Sequence, residues 1–108
     1  MAELDPADQA YCAAEVSRED GAAVIRLSGE LDMVSVESVR SVIEAALAAR
    51  SERLVFEVSG LEFMDSPGIA LLISMTRKVK TVEVRNPNAI VRRIIELTGL
   101  TEILLMTP

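Results

Sequence analysis

Short β-rich runs alternate with stretches of helical periodicity from Tyr11 to the end of the chain, and that alternation leaves few folds open. A half-buried strand repeats its apolar positions every second residue, and a surface helix every third or fourth. Tyr11 to Ser17 and Ala22 to Ser28 carry the strand pattern. Asp20-Gly21 between them tolerates the positive φ angles of a tight hairpin. Gly29-Glu30-Leu31-Asp32 is then expected to leave the sheet. Val36, Val39, Ile43 and Leu47 recur at helical spacing in a helix running to about Ala49. Ser35 stands at its N-cap, and Glu37 in the first turn complements the helix dipole.

Leu54 to Val58 reads as a third strand, followed by Leu61-Glu62-Phe63-Met64 and Asp65-Ser66-Pro67-Gly68. Ser66 and Pro67 suit the N-cap and first-turn positions of a second helix, because proline's missing N–H would be unpaired there anyway. The helix body, Ile69 to Met75, is apolar on nearly every side, and Arg77, Lys78 and Lys80 are placed to close it. Thr81 to Val84 is a strand, Asn86-Pro87-Asn88 a turn and cap, and Ala89 to Thr98 a third helix ended by Gly99. In that helix Ile90, Ile94 and Leu97 form one stripe with Val91 and Ile95 beside it. Ile103-Leu104-Leu105 adds a last strand. The predicted order is β-β-α-β-α-β-α-β. This is an α/β chain with a mixed sheet: an antiparallel opening hairpin, then parallel strands joined by right-handed βαβ crossovers.

With 108 residues there is room for one core, and with 50% hydrophobic and 3% aromatic residues that core must be aliphatic. Residues 1–10 read as a flexible tail, and residues 11–108 as a single domain. A net charge of −6 disfavours nucleic acid and anionic lipid as partners. Short apolar runs argue against membrane insertion, and the lone Cys12 with no export signal points to the reducing cytoplasm. Cys12 itself reads as a small buried hydrophobe. The chain has no histidine, so the usual general base and commonest metal ligand are missing. Neither a nucleophile–base pair nor a phosphate-binding glycine loop appears. No catalytic residue, metal or cofactor is therefore expected, and the chain reads as a binding protein. The clusters Arg77, Lys78, Lys80 and Arg92, Arg93 read as solvated helix faces.

Four motifs in order, Gly29-Glu30-Leu31-Asp32, Phe63-Met64-Asp65-Ser66-Pro67-Gly68, Asn86-Pro87 and Glu96-Leu97-Thr98-Gly99-Leu100, resemble those of a STAS domain, specifically the bacterial anti-sigma factor antagonists. The likeness spans nearly all of the chain beyond the tail. It implies a partner that is both an anti-sigma factor and a serine kinase, sequestered by this protein so that the sigma factor is released. It further implies that phosphorylation of the hydroxyl residue after the motif aspartate, here Ser66, reverses binding. ATP would then belong to the partner, and a phosphatase and a homodimer are further candidate partners. By the same resemblance Asp32 shapes the docking surface, which Met33, Met64, Asp65, Pro67, Gly68 and Ile69 would share. Pro67 stands where the family often carries Ser or Thr, and the segment between the second helix and the next strand is shorter than usual. On pattern alone Ser66 is a helix cap, Asp32 an exposed pre-helix residue and Met64 a core residue. A STAS-like accessory subunit of a membrane transporter's ATPase, or a scaffold in a stress-sensing complex, would keep the fold without the switch.

Overall fold

A computed structural model describes residues 12–49 and 51–108. The tail predicted over 1–10 and the strand start at Tyr11 lie outside the described residues. The elements are β1 (Cys12–Glu19), β2 (Ala22–Leu31), α1 (Val36–Leu47), β3 (Arg53–Met64), α2 (Ser66–Met75), β4 (Thr81–Arg85), α3 (Ala89–Leu97), a 3-10 turn (Leu100–Glu102) and β5 (Leu105–Thr107). This is the predicted order.

The sheet runs β1-β2-β3-β4-β5. β1 and β2 form an antiparallel hairpin that closes on the pair Glu19 and Ala22. Its two turn residues, Asp20 (φ 50°) and Gly21 (φ 80°), take the left-handed conformation a two-residue hairpin requires. The remaining neighbours pair in parallel, each joined by one helix. Strand order steps in a single direction, so crossovers of one hand lay every helix on the same face. All three helices do share one core: Val39 and Ile43 of α1, Leu71, Leu72 and Met75 of α2, and Val91 and Ile95 of α3 pack with Ile25, Leu27, Leu54, Phe56, Val82 and Val84 of the sheet.

The opposite face carries a small buried apolar strip, Ala22, Val24 and Val55, beside two buried carboxylates. Glu57 accepts from Ser59 N–H (2.9 Å), Ser59 Oγ (2.7 Å) and Asn86 Nδ2 (2.6 Å). Glu83 accepts from Arg85 Nε (3.1 Å) and Thr107 Oγ1 (2.8 Å), with Arg53 at 3.6 Å. Buried carboxylates persist only when satisfied in this way.

Several boundaries differ from expectation. Gly29-Glu30-Leu31 does not leave the sheet, because β2 continues to Leu31, which pairs with Met64. The third strand is continuous through Met64 and carries one extra residue at each of two register shifts. α2 ends at Met75, before Arg77, Lys78 and Lys80, and its last-turn carbonyls accept from the backbone N–H groups of Thr76, Arg77 and Lys78 instead. In α3 the buried pair is Val91 and Ile95, while Ile90 and Leu97 are 57% and 70% exposed. The final strand starts at Leu105 because the 3-10 turn takes up the preceding residues and leaves Ile103 exposed.

Candidate docking and modification site

The Gly-Glu-Leu-Asp and Asp-Ser-Pro-Gly segments meet where β2 and β3 end. Two parallel strands in register bring their following loops together, and here Leu31 and Met64 are the last pair. Asp65 joins them. Its N–H donates to Leu31 O (3.2 Å), its Oδ2 accepts from Met33 N–H (3.3 Å), and its Oδ1 accepts from Gly68 N–H (3.3 Å). The last bond makes Asp65 the N-cap of α2. Ser66 is therefore not the cap but the first helical residue, with Pro67 next to it. Ser66 is exposed and its hydroxyl is not committed to the cap.

Close approach of α2 to β2 depends on position 68. A Cβ there would lie 2.6 Å from Leu31 O and 2.9 Å from Leu31 Cγ, so only glycine lets the helix start this near the strand end.

On the other side of the junction Asp32 organises its loop. Asp32 Oδ1 accepts from Val34 N–H (3.0 Å) and Ser35 N–H (3.1 Å), and Asp32 O accepts from Val36 N–H (2.9 Å). This Asx-type turn supplies the start of α1. Ser35 occupies the N-cap position but makes no side-chain cap bond. Its buried hydroxyl donates to Glu30 O (3.0 Å) and accepts from Asp32 N–H (3.1 Å). The turn holds Met33 and Val34 outward, 73% and 64% exposed.

Of the residues predicted to touch a partner, Met33 and Ser66 are exposed, and Asp32, Asp65, Pro67 and Ile69 are half-buried. Met64 and Gly68 need correction. Met64 is 1% exposed because it faces the helices, and Gly68 is buried against Leu31, so both support the site from beneath. Sequence reasoning read Ser35 only as a cap and passed over the exposed Val34 and Phe63. The Asp32-x-x-Ser35 spacing was a usable sign of the Asx turn, whereas Phe63 gave none, since its 43% exposure follows from β3's extra residues.

A phosphate on Ser66 would find no ready cradle in the first turn. Pro67 has no N–H, Gly68 N–H is taken by Asp65 Oδ1, and Ile69 N–H by Asp65 O (3.0 Å). A helix start ordinarily offers free N–H groups to an anion, and the first turn of α2 does not beyond Ser66 itself. Elsewhere, burial pushes the Cys12 thiol up to about 11, so it is neutral near pH 7. Among the described residues no helix is long and apolar enough to cross a membrane.

This sheet order, with helices on one face and a serine at the helix start beside the β2 loop, defines a STAS-type domain. The family model described as "Mlab, STAS domain" matches residues 14–107. The chain belongs to the STAS domain family, within its anti-sigma factor antagonists. An anti-sigma F factor antagonist of Lysinibacillus sphaericus is 37% identical over 90 residues, covering 79% of this chain and 75% of that protein. The crystal structure of an anti-sigma factor antagonist from Mycobacterium paratuberculosis superposes with TM-score 0.84 at 30% identity, covering 96% of this chain and 89% of that one. The Bacillus cell fate determinant SpoIIAA, solved in its phosphorylated form, superposes with TM-score 0.68 at 26% identity, covering 89% and 92%.

Proposed function

We propose that this protein is an anti-sigma factor antagonist. It binds an anti-sigma factor that is also a serine kinase, frees the sigma factor, and loses that binding when Ser66 is phosphorylated. It works by docking in the cytoplasm and carries out no chemistry of its own. A phosphatase resets it, and it has the option of pairing with itself.

The observation that carries this reading is the position of Ser66. Its hydroxyl is exposed, uncommitted, and set on a helix start fixed by Asp65. A kinase can reach it, and a partner that covers the β2 loop would cover it too. Phosphorylation adds about −1.5 to −2 charges near neutral pH. With no backbone N–H free in the first turn beyond Ser66 itself, a partner closing over Ser66 must strip water from that anion. A loss of ~3 kcal/mol weakens binding more than a hundredfold.

The test is to incubate the protein with ATP and each candidate anti-sigma factor, then read intact mass and complex formation. A gain of one phosphate in wild type, none in Ser66→Ala, and retained binding by Ser66→Ala are expected. Equal affinity of wild type and a verified phosphoform would remove the mechanism. Capture of a transporter ATPase in place of any anti-sigma factor would favour the accessory-subunit reading.

A further inference from the structure

The sheet has two outer edges, and they are built differently. β5 ends one of them with only three residues. β1 ends the other with eight, Cys12–Glu19, paired to β2 residue for residue with no bulge. An edge strand presents a row of unpaired N–H and C=O groups, and proteins blunt such rows with short strands, proline, lysine or bulges. β1 carries none of these devices. Among the described residues nothing pairs with its outer side. Arg18, the one cation on the strand, is held over the end of α1, where Nη1 donates to Ser51 Oγ (2.6 Å) and Nη2 to Ala46 O (2.6 Å). Val16 pairs with Ile25 and so faces the helix layer, yet it is 46% exposed. Further along the same side lies a cavity of about 80 Å³, between Cys12 and Ala14 of β1 and Ser38, Val39 and Val42 of α1.

Resting on the self-pairing proposed above, we infer that β1 adds antiparallel to β1 of a second copy, about a two-fold axis through Ala14, so that the two sheets become one. An antiparallel pair sets residues of the same face opposite one another. Centred on Ala14, the seam opposes Cys12 to Val16 of the second copy, Ala14 to Ala14, and Ala13 to Glu15. Its helix-side row is then apolar throughout, and each Val16 reaches the cavity beside Cys12 of the other copy. No like charges face each other, and Glu15 keeps Arg26 as its neighbour on β2. Other centres fare worse. Glu15 at the axis opposes two carboxylates, and Val16 at the axis presses Arg18 against Ala14 and strips the two bonds it makes. A second copy fits this edge better than an unrelated strand because the edge complements itself, as a two-fold interface requires.

Sedimentation velocity on the full chain, from about 10 to about 500 µM, is expected to show a dimer that grows with concentration. Val16→Lys puts a charge on the edge at an exposed position and should raise the dimer's Kd about tenfold or more, with an unchanged melting midpoint. Val16→Cys reads the register. Opposed residues of an antiparallel seam stand about 4.5–5.5 Å apart at Cα, within disulfide reach. Oxidation with diamide should therefore link the introduced thiol to Cys12 of the second copy, and peptide mapping should find positions 12 and 16 joined. Within one strand those positions are about 13 Å apart and cannot join. A dimer that survives Val16→Lys and yields no such link uses another surface, which overturns the β1 seam and leaves self-pairing standing. A link between two introduced thiols alone overturns the register. A chain that stays monomeric throughout overturns the seam and self-pairing together. If Val16→Lys then abolishes capture by an anti-sigma factor, the edge belongs to a strand of that partner.

Discussion

At position 68 the helix start lies too near the end of β2 to admit a side chain. A Cβ placed there meets Leu31 O at 2.6 Å and Met64 Cβ at 3.2 Å, and the first of these is backbone that cannot swing aside. Gly68→Ala is therefore expected to lower stability by about 2–3 kcal/mol, as forced overpacking does. In a thermal melt that is a fall of about 10 °C or more for a domain of this size. Because the strain is relieved by moving the start of α2, Ser66 should also be phosphorylated more slowly. A wild-type midpoint for this variant would contradict the contact. Asp32→Ala should lower stability too, by about 1–2 kcal/mol in urea denaturation, since it removes the acceptor for Val34 and Ser35 N–H at a helix start. Unchanged stability with weakened docking would make Asp32 a contact residue only. The motif residues themselves were readable from the sequence. Which of Asp65 and Ser66 caps the helix was not, because both are good caps one residue apart. The bonds from Asp65 to Gly68 and Leu31 decide it, and they depend on where β2 ends.

Among the elements, the hairpin, the three helices and the order of elements along the chain follow from local signals: Asp20-Gly21, the period of α1, Pro67, Asn88 and Gly99. Asn88 caps α3 as expected, accepting from Val91 N–H (2.8 Å), and Gly99 ends the helix segment with φ 76°. What the sequence hid is the length of β3. Leu54, Phe56 and Val58 face the helices, then Leu61, then Met64, so the inward parity flips twice. Simple alternation breaks off at such shifts, and the strand read from the sequence stopped at Val58. Equally hidden was the far face, where Glu57 and Glu83 are held among polar partners from distant strands. Burial pushes both carboxyls up, but hydrogen bonds from Ser59 and Asn86 to one, and from Thr107 and Arg85 to the other, outweigh it and leave both below the usual range. The folded state thus binds these protons less readily than the unfolded chain. Its stabilisation is present above the unfolded value of about 4.3 and lost as pH falls through the folded values. Urea midpoints should hold from about pH 7 to about pH 5 and drop below about pH 4. Glu57→Gln/Glu83→Gln should be weaker at neutral pH and decline less on acidification. An identical acid profile in that variant would assign the loss to other groups.

For the molecule as a whole, the end that carries Ser66 is acidic before any phosphate is added, and this bears on how the switch can work. The segments around the site contain no cation to fold the phosphate inward, and Asp65 already uses the first-turn N–H groups of Gly68 and Ile69. The added charge therefore points at the partner. If the partner's docking face is basic, long-range attraction grows with phosphorylation, and like-charge repulsion cannot be what ends binding. The opposing effect must act at contact, where a dianion meets a surface shaped for a hydroxyl and loses its water. Desolvation of a group buried at an interface is screened far less than attraction across solvent. Phosphorylation of Ser66 is thus expected to leave the association rate equal or higher and to raise the dissociation rate more than a hundredfold, the equivalent of ~3 kcal/mol. That ratio should persist at about 500 mM NaCl, where the Debye length is only a few ångströms. Stopped-flow association and dilution-driven dissociation, run on the verified phosphoform and on Ser66→Ala at both salt extremes, read the two rates separately. A loss of binding that lies in the association rate and vanishes at high salt would mean that an acidic partner is being repelled at a distance. The charge of this end of the domain would then oppose docking rather than guide it.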